Sequence, residues 1–105
     1  MFDIESIRTL YNGKAVYNSL HFRARRKERS IKPSDIEHAL LSGSIIEETP
    51  DDEPLPSVLV LGYTNEGKPL HVAVGVDDDK ICFITTYFPT LDLWESDYKT
   101  RRSFE

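Results

Sequence analysis

The sequence predicts one α+β domain, in which N-terminal helices pack on a four-stranded antiparallel sheet. Two observations lead to this fold class. Apolar residues recur at helical spacing in residues 3–41, whereas residues 44–87 alternate apolar and polar residues between turn signals. A run of helices followed by a run of strands is typical of an α+β domain. The 105 residues, of which 39% are hydrophobic, fit a single domain spanning residues 1–105.

Three segments carry apolar positions at helical spacing behind a capping residue. They run from Asp3 to Tyr11, from Asn18 or Ser19 to about Arg29, and from Pro33 to about Leu41. Glycine follows the first and third segments, as it commonly does at helix ends. Four apolar residues around the second helix fall together at about 100° per residue, so we expect them to face the core. They are Val16, Tyr17, Leu20 and Ala24.

Four strands are predicted after the helices, and together they form a meander. They run from Ser44 to Glu48, from Ser57 to Thr64, from Leu70 to Val76 and from Lys80 to Tyr87. The turn from Asn65 to Lys68 is typical of a hairpin. The tail from Pro89 to Arg102 is predicted to form a short helix.

Several classes of protein do not fit this composition. Uninterrupted apolar runs reach only four residues, whereas a membrane helix needs about 18 or more. The N-terminus lacks the basic-then-apolar order of a signal peptide, so we expect a cytoplasmic protein with no membrane association. No zinc, P-loop, dinucleotide or serine-hydrolase motif occurs, and we expect no cofactor. The three aspartates 77–79 lack a metal-ligand spacing, so no metal site is predicted.

Charge is distributed unevenly along the chain, whose net charge is −5. Residues 1–34 hold eight basic and three acidic residues, whereas residues 35–97 hold two basic and fourteen acidic ones. The last eight residues are again basic, with three positive side chains and one negative. Such asymmetry is compatible with local nucleic-acid contact, and equally with two solvated faces of opposite sign.

The second helix carries a stripe of polar residues suited to a phosphodiester. His21, Arg25, Glu28 and Arg29 follow one another at i, i+4 and i+7 or i+8. Arginine offers a planar fork of donors to phosphate, and histidine transfers protons near neutral pH. The alternative interpretation is an exposed helix stabilised by salt bridges.

Further candidate residues lie on the strands and in the tail. His71 shares a strand face with small residues, which leaves room for a ligand, although a buried histidine is more often a hydrogen-bonded structural group. Tyr87 shares a face with Thr85 and is suited to stacking on a base or donating a proton. The tail residues Trp94, Arg101 and Arg102 combine aromatic and basic groups, as RNA-binding segments do. Alternatively, Trp94 simply covers the core.

The order of these residues resembles the small bacterial proteins grouped as domain of unknown function family 4258. The shared pattern begins with a His-(x)3-Arg-(x)2-Glu-Arg-Gly-Ile helix and an Asp-Ile/Val pair early in the next helix. It continues with a Gly-x-Ile-Ile/Val strand, a Gly-x-Pro-Leu-His-Val strand, an Ile-Thr-x-Tyr-x-Pro strand end and a terminal Trp followed by Arg-Arg. The matching positions are His21, Arg25, Glu28, Arg29, Ile31, Asp35, Ile36, Gly43, Ile45, Ile46, Gly67, Pro69, Leu70, His71, Val72, Ile84, Thr85, Tyr87, Pro89, Trp94, Arg101 and Arg102. Ser30 stands where the pattern usually has glycine, so we expect this turn to need no strongly positive φ.

The resemblance implies a fold and a function. The family is similar to the RelE/barnase-like group of metal-independent toxin ribonucleases, in which helices pack on a four-stranded antiparallel sheet. It therefore implies a toxin of a toxin–antitoxin pair, with RNA as substrate and a zinc-finger-type antitoxin protein as partner. Fold-level similarity does not by itself establish an activity.

The first hypothesis is thus an endoribonuclease in which the ribose 2′-hydroxyl attacks the adjacent phosphate. His21 or His71 would act as base, and the other histidine or Tyr87 as acid. Arg25 and Arg29, with or without Arg101, would stabilise the phosphorane. The residues expected to bind substrate are Glu28, Thr85, Trp94, Arg101 and Arg102. The second hypothesis is a non-catalytic RNA- or protein-binding module, and the third is an interaction protein whose acidic residues 47–53 recruit a basic partner.

Overall fold

The computed structural model describes residues 2–103, which form three helices and five strands. The helices are α1 (Ile4–Asn12), α2 (Leu20–Glu28) and α3 (Pro33–Ser42). The strands are β1 (Val16–Asn18), β2 (Ser44–Thr49), β3 (Ser57–Tyr63), β4 (Pro69–Asp77) and β5 (Lys80–Tyr87). The predicted α+β class is confirmed.

The sheet is mixed rather than purely antiparallel, which corrects the predicted four-stranded sheet. Its strand order is β1-β5-β4-β3-β2. The four expected strands form an antiparallel meander, and β1 joins β5 in parallel, with Tyr17 opposite Cys82. A three-residue strand has no recognisable alternation of its own, so only its pairing with β5 identifies it.

The second helix begins at Leu20, because the Ser19 side chain accepts a hydrogen bond from the backbone N–H of Phe22 at 3.0 Å. Val16 and Tyr17 therefore lie outside the helix, and the predicted core face of this helix is wrong. Phe22 is buried and stacks on Phe83 at 5.3 Å between ring centroids, whereas Leu20 is 81% exposed. Only Ser19 separates β1 from α2, so the apolar pattern of the strand does not continue in phase into the helix.

The turn after α2 also differs from the sequence expectation. Ser30 has a φ of 54°, so this turn does use the left-handed region that the family pattern fills with glycine. The expectation of an ordinary φ at Ser30 is therefore wrong. The conformation lets the backbone N–H of Ile31 donate to the Arg26 carbonyl at 3.0 Å and places Ile31 in the core.

The main core lies between the three helices and one face of the sheet. It contains Ile7, Phe22, Ile31, Ile36, Ala39, Leu40, Val58, Val60, Leu70, Val72, Val74, Ile81 and Phe83. The tail after β5 covers part of the other face, and it forms a hairpin-like turn instead of the predicted short helix. Trp94 and Arg101 form an antiparallel bridge, and Arg102 N–H donates to the Leu93 carbonyl at 2.9 Å. No helix within residues 2–103 has the length and apolar character required to span a bilayer.

Gly62 of β3 packs directly against the backbone of Ala39 in α3. A Cβ atom at position 62 would lie 2.0 Å from the Ala39 carbonyl oxygen, which is a backbone atom that cannot rotate away. We expect Gly62→Ala to lower the free energy of unfolding by about 1–3 kcal/mol or more, because α3 must move off the sheet. Urea denaturation measures this change. Gly13→Ala is the control, since its Cβ would meet its nearest neighbour at 3.4 Å; equal losses in both variants would contradict the prediction.

Candidate functional site

The candidate site is centred on His71, whose side chain is fully buried on β4. Its Nε2 lies 2.6 Å from the carbonyl oxygen of Tyr98, and its Nδ1 lies 3.2 Å from the hydroxyl of Tyr87. A carbonyl oxygen can only accept, so we assign the ring proton to Nε2. In the neutral ring Nδ1 is then an acceptor, and the Tyr87 hydroxyl donates to it.

Burial determines the protonation states of this pair. It lowers the pKa of His71 from its ordinary value of 6.5, and nearby Arg101 lowers it further, although the Tyr98 carbonyl and the Glu47 carboxylate oppose the shift. Burial also raises the pKa of Tyr87 above 10.0, against the opposing effect of Arg101 and Arg29. At neutral pH the histidine is therefore uncharged and the phenol is protonated.

The tail is attached to this pair by an aromatic contact and an ion pair. The Trp94 ring meets the His71 ring edge-on, with 4.5 Å between centroids. The Arg101 guanidinium lies 4.6 Å from the centre of the Trp94 ring and donates two hydrogen bonds to Glu47, at 2.7 and 2.9 Å. This bidentate pair connects the tail to β2.

An open cleft lies beside Tyr87, at the end of α2. It has a volume of about 430 Å³ and is lined by Arg29, Tyr87, Phe88, Pro89, Thr90, Leu93 and Trp94. The Arg29 guanidinium donates to the Thr86 carbonyl at 2.8 Å and forms no salt bridge within residues 2–103. The cleft therefore combines a cationic donor, a phenol held by a neutral imidazole, and apolar walls.

The structure places the remaining candidate residues outside this cleft. His21 is exposed on α2, and Arg25 is bound to Glu28 three residues further along. Thr85 is paired with Ala73 across the sheet and is half-buried. Arg102 donates to the Leu91 carbonyl and, at 3.2 Å, to Glu95, so it stabilises the tail. Of the predicted stripe from His21 to Arg29, only Arg29 therefore lines the cleft.

Two groups at the site were absent from the sequence prediction. Glu47 belongs to the acidic residues 47–53 that the third hypothesis gives a partner-binding role, yet its register opposite Leu59 brings it to Arg101. The Tyr98 carbonyl holds His71 because Tyr98 adopts a φ of 58° in the tail turn. Backbone acceptors have no signature in a sequence, so no signal could have identified this one. Within residues 2–103, no three His, Cys, Asp or Glu side chains are grouped as metal ligands.

The shifted pKa of His71 makes stability depend on pH. His71 binds its proton more tightly in the unfolded chain than in the folded one. Its contribution to the free energy of unfolding is therefore complete above about pH 6.5 and decreases as the pH falls below that value. We expect the free energy of unfolding to fall between about pH 7.5 and pH 5, and to fall less in His71→Gln. Urea denaturation at both pH values tests this, with the exposed His38 replaced by glutamine as control. The same fall in all three proteins would contradict the assignment.

One comparison with known proteins identifies a family. The family model described as domain of unknown function (DUF4258) matches residues 19–88, from the cap of α2 to just beyond β5. The match includes His71, Tyr87 and Arg29, and it ends before the tail residues Trp94 and Arg101. No curated protein and no solved structure matches the chain. Because the family model covers more than half of the chain, the chain belongs to this family of unknown function.

Proposed function

We propose that the protein is a metal-independent endoribonuclease related to the RelE/barnase-like toxins, with its active site in the cleft beside Tyr87. One observation carries the proposal. Tyr87, hydrogen-bonded to the neutral, buried His71, lines the same cleft as Arg29, which forms no salt bridge within the described residues. Cleavage by the substrate's own 2′-hydroxyl requires a proton acceptor, a cationic group at the phosphate and a proton for the leaving oxygen.

The hydrogen-bond directions define how this chemistry would proceed. The 2′-oxygen attacks phosphorus while its proton moves to the Tyr87 oxygen, whose own proton moves to Nδ1 of His71. The bond between phosphorus and the 5′-oxygen breaks, which leaves a 2′,3′-cyclic phosphate, and the departing oxygen takes a proton from water. Arg29 stabilises the charge that develops on the phosphorane. His71 thus acts through Tyr87, and the exposed His21 has no part in the step.

The proposed biological setting follows from the family resemblance. A toxin ribonuclease of a toxin–antitoxin pair would act in the cytoplasm on single-stranded RNA and be bound by a zinc-finger-type antitoxin. Phe88, which is 36% exposed at the cleft, offers an aromatic surface on which a base can stack. This surface supports a single-stranded substrate, because the bases of a duplex are already stacked.

A second candidate function is a non-catalytic RNA- or protein-binding module. Both ring nitrogens of His71 are already bonded within the protein, and Arg101 is bound to Glu47. Such a cluster also serves to hold the tail on the sheet without any chemistry. In that case only Arg29 and the apolar walls of the cleft would contact a ligand.

An RNA cleavage assay distinguishes the two functions. A fluorescent single-stranded RNA is incubated with the protein in EDTA, beside a DNA of the same sequence and an RNA methylated at every 2′-oxygen. We expect cleavage of the unmodified RNA alone, with a cyclic phosphate at the new end. Intact RNA that nevertheless binds, with an affinity that falls as salt rises, would support the binding module instead.

A further inference from the structure

The β1 edge of the sheet carries backbone groups that no other strand within residues 2–103 covers. In the sheet order β1-β5-β4-β3-β2, β1 has a neighbour on one side only. The Ala15 carbonyl accepts from Ile81 N–H at 2.9 Å, and Ser19 N–H donates to the Phe83 carbonyl at 3.1 Å. Because alternate residues of a strand direct their backbone groups to opposite edges, Val16 and Asn18 direct theirs away from β5.

A groove, here termed the β1 groove, runs beside this edge and is separate from the cleft at Tyr87. It has a volume of about 440 Å³ and is lined by Tyr11, Val16, Tyr17, Asn18, Phe22, Arg23, Arg26, Pro33, Ile36 and Phe83. The floor is apolar, since Phe22 and Phe83 are buried beneath it. One of the lining residues, Tyr17, has a large side chain that is 41% exposed. Exposed apolar groups beside a groove are typical of a contact surface.

The charge of the β1 groove is positive. Neither Arg23 nor Arg26 forms a salt bridge within residues 2–103, whereas Arg8, Arg25, Arg101 and Arg102 all do. Arg26 donates to the Ile31 carbonyl at 3.1 Å, which fixes its side chain. Among the described lining residues there is no carboxylate. The nearby Asp77 and Glu37 accept hydrogen bonds from the hydroxyls of Tyr17 and Tyr11.

We propose that the β1 groove binds an extended, acidic segment of a partner protein. The segment adds a strand beside β1 and hydrogen-bonds to the backbone of Val16 and Asn18. Alternate side chains of a strand point to opposite faces, so one set packs on the apolar floor. Its carboxylates pair with Arg23 and Arg26, because a guanidinium can donate two parallel hydrogen bonds to one carboxylate.

A strand fits the β1 groove better than RNA does. The free edge of β1 presents N–H donors and C=O acceptors, and the backbone of another strand can pair with both. A nucleic-acid backbone offers mainly acceptors, so it can pair only with the N–H groups. Phe22 and Phe83 are 2% and 5% exposed, so they have no free ring face on which a base can stack. This inference does not depend on the proposed ribonuclease activity, because the two grooves share no lining residue in the described part of the chain.

Peptide binding to the full chain tests the proposal. The probe is a fluorescent, end-blocked hexapeptide of alternating glutamate and valine, compared with a lysine–valine peptide and a backbone N-methylated form of the acidic one. We expect the acidic peptide to bind about tenfold more tightly than either comparison peptide, and to shift the amide NMR signals of Val16 and Asn18. Arg23→Gln is expected to weaken binding about tenfold. Lys68→Gln, an equal loss of charge in the turn between β3 and β4, outside the β1 groove, is expected to leave it unchanged.

Three results would overturn the proposal. One is equal binding of the acidic and lysine peptides, or none at all. In another, Arg23→Gln and Arg26→Gln bind 2′-O-methyl RNA more weakly than the wild type but bind the peptide equally well. That result would show that the groove binds RNA. The third is a dimer in analytical ultracentrifugation that both substitutions abolish, which would identify a second copy of this chain as the occupant.

Discussion

Replacing Tyr87 by phenylalanine is expected to lower the rate of RNA cleavage by about 100-fold or more, while RNA binding changes little. The hydroxyl that donates to His71 at 3.2 Å is the only group the substitution removes, and a proton-transfer group contributes about 10²–10⁴-fold to a rate. Single-turnover cleavage measures the rate, and anisotropy with 2′-O-methyl RNA measures binding. Tyr63→Phe is the matched control, because Tyr63 lies on β3, is 42% exposed and does not line the cleft.

A second substitution tests whether the proton moves on to His71. Glutamine at position 71 can keep hydrogen bonds to Tyr87 and to the Tyr98 carbonyl, but it cannot take up a proton at neutral pH. We therefore expect His71→Gln to slow cleavage strongly and to remove the acidic limb of the pH–rate profile, where protonation of the imidazole inactivates the wild type. Cleavage by both variants at the wild-type rate would show that this pair has only a structural role.

Replacing Phe22 by alanine is expected to lower the free energy of unfolding by about 3–5 kcal/mol. Phe22 is the buried side chain of α2, and its ring stacks on Phe83 of β5. Truncation removes that contact and leaves a cavity, and a loss of this size is a large part of the stability of a small domain. Since Arg29 directly follows α2, loosening this helix would also misplace the guanidinium at the cleft. Urea denaturation measures the stability, and the cleavage assay measures the second effect.

Leu20→Ala is the matched control for this substitution. Leu20 lies two residues earlier on the same helix and is 81% exposed, so its truncation is expected to change stability by less than about 0.5 kcal/mol. The pair of variants also decides which face of α2 is buried, because the apolar pattern of the sequence predicted Leu20 in the core. A larger loss in Leu20→Ala than in Phe22→Ala would contradict the packing described above.

The sequence by itself determined the α+β class, the four meander strands and the approximate extent of all three helices. These features depend on local signals, namely apolar periodicity, capping residues such as Ser19 and the turn at Asn65, which act over a few residues. The sequence also identified His71 and Tyr87 as candidate site residues, because they lie on predicted strands among small or apolar neighbours.

Only the tertiary structure decided which candidates meet. The register between β4 and β5 sets His71 opposite Tyr87, and the tail turn supplies the Tyr98 carbonyl and the Trp94 ring. The three-residue β1 and the phase of α2 likewise depend on pairing with β5, which lies far along the chain. Helical spacing shows which residues share a face of one helix, but it does not show which distant segment that face contacts. For that reason the predicted stripe from His21 to Arg29 contributes only Arg29 to the cleft.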